Sequence, residues 1–287
     1  MKSIAIVNFK GGVGKTTITW LLAKYAAEYK GKTVLVIDTD AQMSLTLAVQ
    51  LQETGDMYGE FENWYENQHQ KNNKTILNAL EKYKHGKGKK FDFPIDSSFI
   101  YKMNPNLHFV PSVVDLYWLE PDVLDVERTK NLIKTLLHEV ENSGTSDYDY
   151  VFFDCPAYFT TLAYSVLSCS GLILIPVNPD VFASRGVEMM VDGFLSRIKS
   201  SSNFKFGVFM NRAKLYSGDL TRETARWWAE IRYICGEKQQ DHVSIQAWDS
   251  YIPEREDIKR AIPGRYFPSE FEGHFAALWD NIEKSME

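Results

Sequence analysis

The sequence predicts an α/β protein built on a doubly wound, mostly parallel sheet with helices on both faces. Three observations predict it. Short β-rich apolar runs alternate with longer segments of helical periodicity along the chain. Most of those runs are almost continuously apolar, as strands covered on both faces must be. The first run leads through a glycine-rich loop into a helical segment, the order in which such sheets present a helix N-terminus to an anion.

In chain order, strands are expected at Ile4–Phe9, Thr33–Asp38, Leu107–Pro111, Tyr150–Asp154, Leu172–Val177 and Lys205–Met210, with a shorter one at Ala247–Ile252. Helices are expected at Thr16–Tyr29, Val126–Glu141, Thr160–Cys169, Ser184–Ser200 and Thr221–Ile234. Residues 51–73 break the rhythm. They are polar and acidic with interspersed aromatics (Trp64, Tyr65), and are expected to form a surface insertion that serves as a lid or partner surface. The tract KYKHGKGKK from Lys82 to Lys90 reads as a flexible basic loop.

The chain of 287 residues is expected to be one domain, 1–287, carrying that insertion. Its 44% apolar content supports a sizeable core, and no apolar run approaches the roughly 18 residues a membrane span needs. The N-terminus enters a strand at once, so no secretory leader is expected. Three cysteines, Cys155, Cys169 and Cys235, are an odd number at no metal-like spacing and point to a reducing, cytoplasmic compartment. A net charge of −6 argues against a wholly basic nucleic-acid binder while leaving room for a local basic patch.

Chemistry concentrates in KGGVGKTT at 10–17. Gly11, Gly12 and Gly14 let backbone amides approach phosphates without Cβ interference, Val13 completes the turn, and the helix that follows adds its positive end. Lys15 is placed to reach the β- and γ-phosphates of ATP, the Thr16 hydroxyl to ligate Mg²⁺, and Thr17 to bond the α-phosphate. The common pattern G-x-x-x-x-G-K-[ST] fails at its first position, which is Phe9, and a second lysine, Lys10, precedes the glycines.

Carboxylates follow. VLVIDTDAQ at 34–42 ends a strand on Asp38 and Asp40, which emerge at the ligand crevice of an open sheet. One can hold Mg²⁺ through water while the other orients the attacking water. Asp154 ends a third apolar strand, YDYVFFD, where a carboxylate stands beside Mg²⁺. Asn211, after KFGVFM, either reads the N6 and N7 edge of adenine or forms a turn. Pro253 either packs on the base or ends a strand.

Together these segments resemble the ParA/MinD family of deviant Walker ATPases, most closely its ParA branch. NLHFVPSVVDL at 106–116, GLILIPVNPDVFASRG at 171–186, GVFMNR at 207–212 and YIP at 251–253 extend the likeness. The resemblance implies ATP and Mg²⁺ as ligands, a homodimer closed by ATP, and slow hydrolysis stimulated by an adaptor or ParB-like partner. It also implies that Lys10 reaches across the dimer to the partner's phosphates. Asp40 would position the hydrolytic water, and Asp38 and Asp154 would support Mg²⁺. Ala41 stands where the family usually has proline, Met43-Ser44 replaces Gly-Asn, and Ala157 replaces the second proline after Asp154.

The function expected is therefore ATP-gated positioning of plasmid, chromosome or another cargo on nucleoid DNA bound without sequence preference. Arg222 and Arg226, with Arg255, Lys259 and Arg260, are the candidate DNA contacts. One alternative is a MinD-like membrane-cycling regulator. The last helix opposes it, since Glu270, Glu272, Asp280, Glu283 and Glu287 outnumber Lys284 on its polar side. An iron–sulfur or electron-transfer ATPase would need placed cysteines, and no C-x-x-C occurs.

Overall fold

The computed structural model describes residues 1–50, 56–85, 99–118, 131–142, 147–197, 203–261 and 266–287, with backbone alone at Met57, 81–85, Arg197, Lys259 and Arg260. Its strands are β1 (Lys2–Ile6), β2 (Val34–Asp38), β3 (Tyr101–Asn104), β4 (Leu107–Val110), β5 (Tyr150–Asp154), β6 (Leu172–Val177), β7 (Phe204–Ala213), β8 (Leu215–Tyr216), β9 (Asp219–Leu220) and β10 (Val243–Pro253). Its helices are α1 (Lys15–Tyr29), α2 (Ser44–Gln50), α3 (Met57–Trp64), α4 (Ile76–His85), α5 (Leu132–Asn142), α6 (Thr161–Cys169), α7 (Ala183–Arg197), α8 (Arg222–Glu237), α9 (Glu256–Ala261) and α10 (Glu272–Ser285).

One sheet runs β10-β7-β6-β1-β5-β2-β4-β3, and every pairing in it is parallel except the antiparallel edge pair β3–β4. β1 sits between β5 and β6, so the chain crosses back over β1 and opens a crevice beyond its C-terminal end. Alternate side chains of β1 feed the two layers. Ala5 and Val7 join the core beneath α4 to α8, while Ile4 and Ile6 join the core shared with α1, α2, α9 and α10. β2, β5 and β6 are buried along their whole lengths, which is why they read as unbroken apolar runs.

The last helix docks on this core. Phe275, Leu278, Trp279 and Ile282 lie on one face at helical spacing and are fully buried, each contributing roughly 1.5–3 kcal/mol. No helix among the described residues is long and apolar enough to cross a membrane.

Several expectations shift. β1 begins and ends earlier than expected because the chain after Ile6 is drawn into side-chain bonds: Asn8 Nδ2 donates to the Pro176 carbonyl, and Asn8 Oδ1 accepts the Lys10 amide, both at 2.9 Å. β10 is longer than expected and changes register between Trp248 and Tyr251. Periodicity misses β3, α2, α3, α4, α9 and the β8–β9 hairpin, all short or built from polar residues.

Of 51–73, residues 51–55 lie outside the description, as do 86–90 of the basic tract, 126–130 of the expected 126–141 helix and 198–200 of the expected 184–200 helix. The remainder of the insertion is packed helix. Asp56 caps α3 by accepting the Gly59 N–H at 2.9 Å. A π-helical stretch, Tyr65–Lys71, continues it. Trp64 is buried against Met43, and Tyr65 Oη donates to Asp115 at 2.5 Å. The insertion is therefore clamped onto the loop that follows Asp40.

Candidate nucleotide-binding site

The loop 9–14 leaves β1 and starts α1 at Lys15. Gly14 caps the helix with φ 89°, a left-handed conformation that side chains resist. A Cβ there would also meet Asn211 Nδ2 at 2.3 Å. That amide is committed, since Asn211 Nδ2 donates to the Val13 carbonyl at 2.7 Å. Asn211 thus braces the glycine loop with one of its two amide protons, leaving the second N–H and Oδ1 for the edge of a base. Phe9, the departure at the head of the motif, stands edge-on to Phe159 at 6.1 Å and anchors the loop to the segment after β5.

Beneath the loop, the Lys15 ammonium lies in the field of two carboxylates, Asp154 and Asp40, with Asp38 hydrogen-bonded behind them. Lys15 is buried, which pushes its pKa down, while the fields of Asp154 and Asp40 push it back up. Asp38 is fully buried. Its Oδ1 accepts the Asp40 N–H at 3.0 Å, and its Oδ2 accepts Thr46 N–H at 2.9 Å and Thr46 Oγ1–H at 2.7 Å. Burial outweighs those bonds and pushes its pKa up to about 7. Asp154 lies across from Asp38 in register and is pushed well above the usual carboxylate range, first by burial and then by Asp38. The Thr16 hydroxyl bonds this carboxylate, and Thr19 Oγ1, which donates to the Lys15 carbonyl at 2.9 Å, lies 3.4 Å from Asp154 Oδ1. Asp40 is less deeply set, accepts the Gln42 N–H at 2.9 Å, and is raised by burial against the opposing pull of Lys15.

The Mg²⁺ expectation can be tested on these atoms. Asp154 Oδ2 is buried with no hydrogen-bond partner, an orphaned acceptor whose desolvation a cation would offset. Burial favours the protonated forms of Asp38 and Asp154, and a cation beside Asp154 would favour the ionised carboxylate. Among the described residues no group of three or more His, Cys, Asp or Glu forms a ready-made metal cage. Mg²⁺ needs none, since it takes one or two protein oxygens and completes its shell with phosphate and water. The residues fit the ion.

Pro253, at the end of β10, lines a cleft of about 500 Å³ with Ala213, Lys214, Leu215, Thr221, Glu254 and Arg255, a volume in the range of small-molecule sites. Lys10 points elsewhere: it is half-buried at the rim and ion-paired with Asp180. Thr17 is half-buried at the start of α1, and Gly11 and Gly12 are exposed at the loop's crest. Sequence reasoning missed Thr19, Thr46, Ser112 and Asp180. Ser112 Oγ donates to the Asp40 carbonyl at 2.7 Å, and Thr46 Oγ1 accepts the Ser112 N–H at 2.8 Å. These ties join residues far apart in sequence and have no local signature. Asp180 lay inside a segment already quoted, but nothing in its spacing pairs it with Lys10.

Comparison with known proteins decides the family. A family model described as an AAA domain matches residues 1–208. The chain belongs to the ParA/MinD family of P-loop ATPases. It is 30% identical over 208 residues to an uncharacterized protein of Mycobacterium tuberculosis, covering 72% of this chain and 56% of that one. The chain thus spans little more than half the length of that relative. It is 22% identical to the chromosome-partitioning protein ParA of Caulobacter vibrioides, over 85% of this chain and 80% of that one. The apo structure of McdA from Cyanothece superposes with TM-score 0.75 at 19% identity over 100% of both chains. Its ATP complex gives 0.72 at 20% identity, over 97% of this chain and 96% of that one. At that identity the structures establish the shared ParA-like fold.

Proposed function

We propose that this ParA/MinD-family chain is an ATPase that dimerises with ATP, binds DNA without regard to sequence, and positions a plasmid, chromosome or other cargo, with hydrolysis as the release switch. The observation that carries the reading is the pair of lysines. Lys15 is sunk in the field of Asp154 and Asp40 at a helix N-terminus, whereas Lys10 is held at the rim, where a second protomer could be met. The McdA complex with ATP supports the same ligand here.

In this mechanism the loop amides and Lys15 bind the β- and γ-phosphates and stabilise charge that builds on them. Thr16 and Asp154 would hold Mg²⁺, with Asp38 bracing the shell behind them. Bound Mg²⁺ supplies Lewis-acid neutralisation of phosphate charge. Asp40, anchored through its carbonyl by Ser112, orients the water. The reading takes residues 1–287 as one domain, a cytoplasmic and nucleoid-associated location, and an adaptor or ParB-like protein as stimulator.

For DNA, Arg222 and Arg226 are exposed on α8, and among the described residues neither forms an ion pair. Glu230, a carboxylate that might have neutralised them, instead accepts the Ser184 hydroxyl at 2.8 Å. Arg255 and Lys214 line the neighbouring cleft; the side chains of Lys259 and Arg260 fall outside the description. A dimer doubles these contacts on one surface. The membrane-cycling alternative is disfavoured because the apolar face of α10 is already spent on the core.

Filter binding to random-sequence duplexes with ATP and with ADP tests the reading. Binding should need ATP, ignore sequence, and weaken with salt by about 0.9 log unit per phosphate contact for each log unit of salt. Arg226→Glu should flatten that slope while ATP-dependent dimerisation persists. An ATP-bound dimer with no DNA affinity at low salt would overturn the DNA assignment.

A further inference from the structure

Lys10 already has a partner in its own chain. Its Nζ lies against Asp180 Oδ2 in the loop between β6 and α7. That carboxylate is itself fixed. Asp180 Oδ1 accepts the Phe182 N–H at 3.0 Å, and the Asp180 carbonyl accepts the Ala183 N–H at 3.0 Å, so one residue shapes the turn that launches α7 and holds the lysine. On the other side, the Lys10 amide is tied through Asn8 to the Pro176 carbonyl in β6. Backbone and ammonium of Lys10 are thus both bound to one strand end and the loop after it. The two residues following Asp180, Val181 and Phe182, are exposed apolar side chains at the same rim.

We propose that Asp180 is a positioning residue that latches Lys10 inside its own protomer, so that the lysine reaches a second protomer only after the triphosphate there outcompetes the carboxylate. The proposal rests on the trans-acting reading of Lys10 given above. The exchange is one of anions: an ammonium leaves a single carboxylate for oxygens of higher charge. Lys10 and Asp180 are each about 39% exposed, and a pair so open to water contributes little, about two- to threefold in equilibrium per protomer. Two latches open when one dimer forms, so the dimer equilibrium shifts by about four- to ninefold. Because the latch is a charge pair near solvent, concentrated salt dissolves it.

Asp180→Asn separates charge from architecture. The amide oxygen can still accept the Phe182 N–H and keep the turn, while the charge that holds Lys10 is gone. Sedimentation of the full chain with Mg²⁺ and a non-hydrolysable ATP analogue reads the result. The variant should dimerise at about four- to ninefold lower protein concentration than wild type. The gain should vanish in about 1 M salt and in a Lys10→Ala background. Equal dimerisation of variant and wild type overturns the latch when the wild-type dimer itself depends on Lys10. A gain that survives Lys10→Ala also overturns it, because the effect then comes from the turn. Wild-type protein that stays monomeric with the analogue at every concentration sinks the trans-acting reading itself, and the latch with it.

Discussion

The floor and the rim of the crevice are built on opposite terms. On the floor, Lys15, Asp38 and Asp154 are buried and fixed to strand ends or a helix start, and the two acids are hydrogen-bonded by backbone and hydroxyl groups from α1, α2 and the loop after β2. On the rim, Lys10 and Asp180 are half open to water, and the adjoining Val181 and Phe182 expose apolar surface. A floor of this kind is finished before any ligand arrives. A rim of this kind is finished only when another surface closes over it.

The comparison can be broken hardest at Lys15. Lys15→Ala removes the buried cation beside Asp154 and Asp40 and should weaken MgATP binding by about 100-fold or more. Circular dichroism should be unchanged, because the side chain packs little core. Calorimetric titration checks the affinity, and wild-type binding in the variant would show that the floor does not hold phosphate.

Gly14→Ala attacks the floor through its backbone. It places a Cβ at φ 89° and against Asn211 Nδ2, so the Asn211–Val13 bond must break. The expected loss of stability is about 3 kcal/mol, read from urea midpoints at constant m. A neutral outcome would mean that the loop is softer than the rim.

Asp38 offers a pH test. Its folded pKa is raised to about 7, so between roughly pH 4 and 7 the native state keeps a proton the unfolded chain has released. Stability from this group is therefore present at low pH and lost as pH rises through that window. Without nucleotide, Asp38→Asn should lower stability at pH 5, where it loses an acceptor for Thr46, yet flatten the slope up to pH 7. Parallel slopes for the two proteins would remove Asp38 as the titrating group.

The smallest effect on the isolated chain belongs to the rim. Phe182→Ser should change its stability by less than about 0.5 kcal/mol, since the ring is 71% exposed. The same variant should measurably weaken ATP-dependent self-association in light scattering. Equal self-association would leave the apolar rim without a role in the dimer.

The floor was legible in the sequence and the rim was not, for a physical reason. Val34–Asp38 and Tyr150–Asp154 announce themselves because strands buried on both faces leave no choice but apolar residues, and the acids that end them stand out against that background. Glycines before Lys15 are read the same way, since few residues accept φ 89°. The ties that position the acids were hidden: Thr46 to Asp38 and Ser112 to Asp40 span 8 and 72 residues and use hydroxyls common anywhere on a surface. The bond from Asn211 to the Val13 carbonyl was hidden as well, because a strand-end amide looks the same whether it faces a base or a carbonyl. The insertion was seen as an irregularity, but its aromatic spacing did not reveal that Trp64 would seat on Met43, itself held at φ 58°.

Cys155, next to Asp154, carries a consequence of another sort. Its thiol is buried to 1% exposure, and burial, reinforced by the neighbouring acid, raises its pKa far above that of a free thiol. Neither access nor thiolate is available in the closed molecule, so alkylation must wait for the floor to part. In protein carrying Cys169→Ser and Cys235→Ala, the rate of Cys155 labelling becomes a clock for that breathing motion. Its slowing by saturating nucleotide would give the grip of the ligand on the floor, in seconds or hours, without any measurement of turnover.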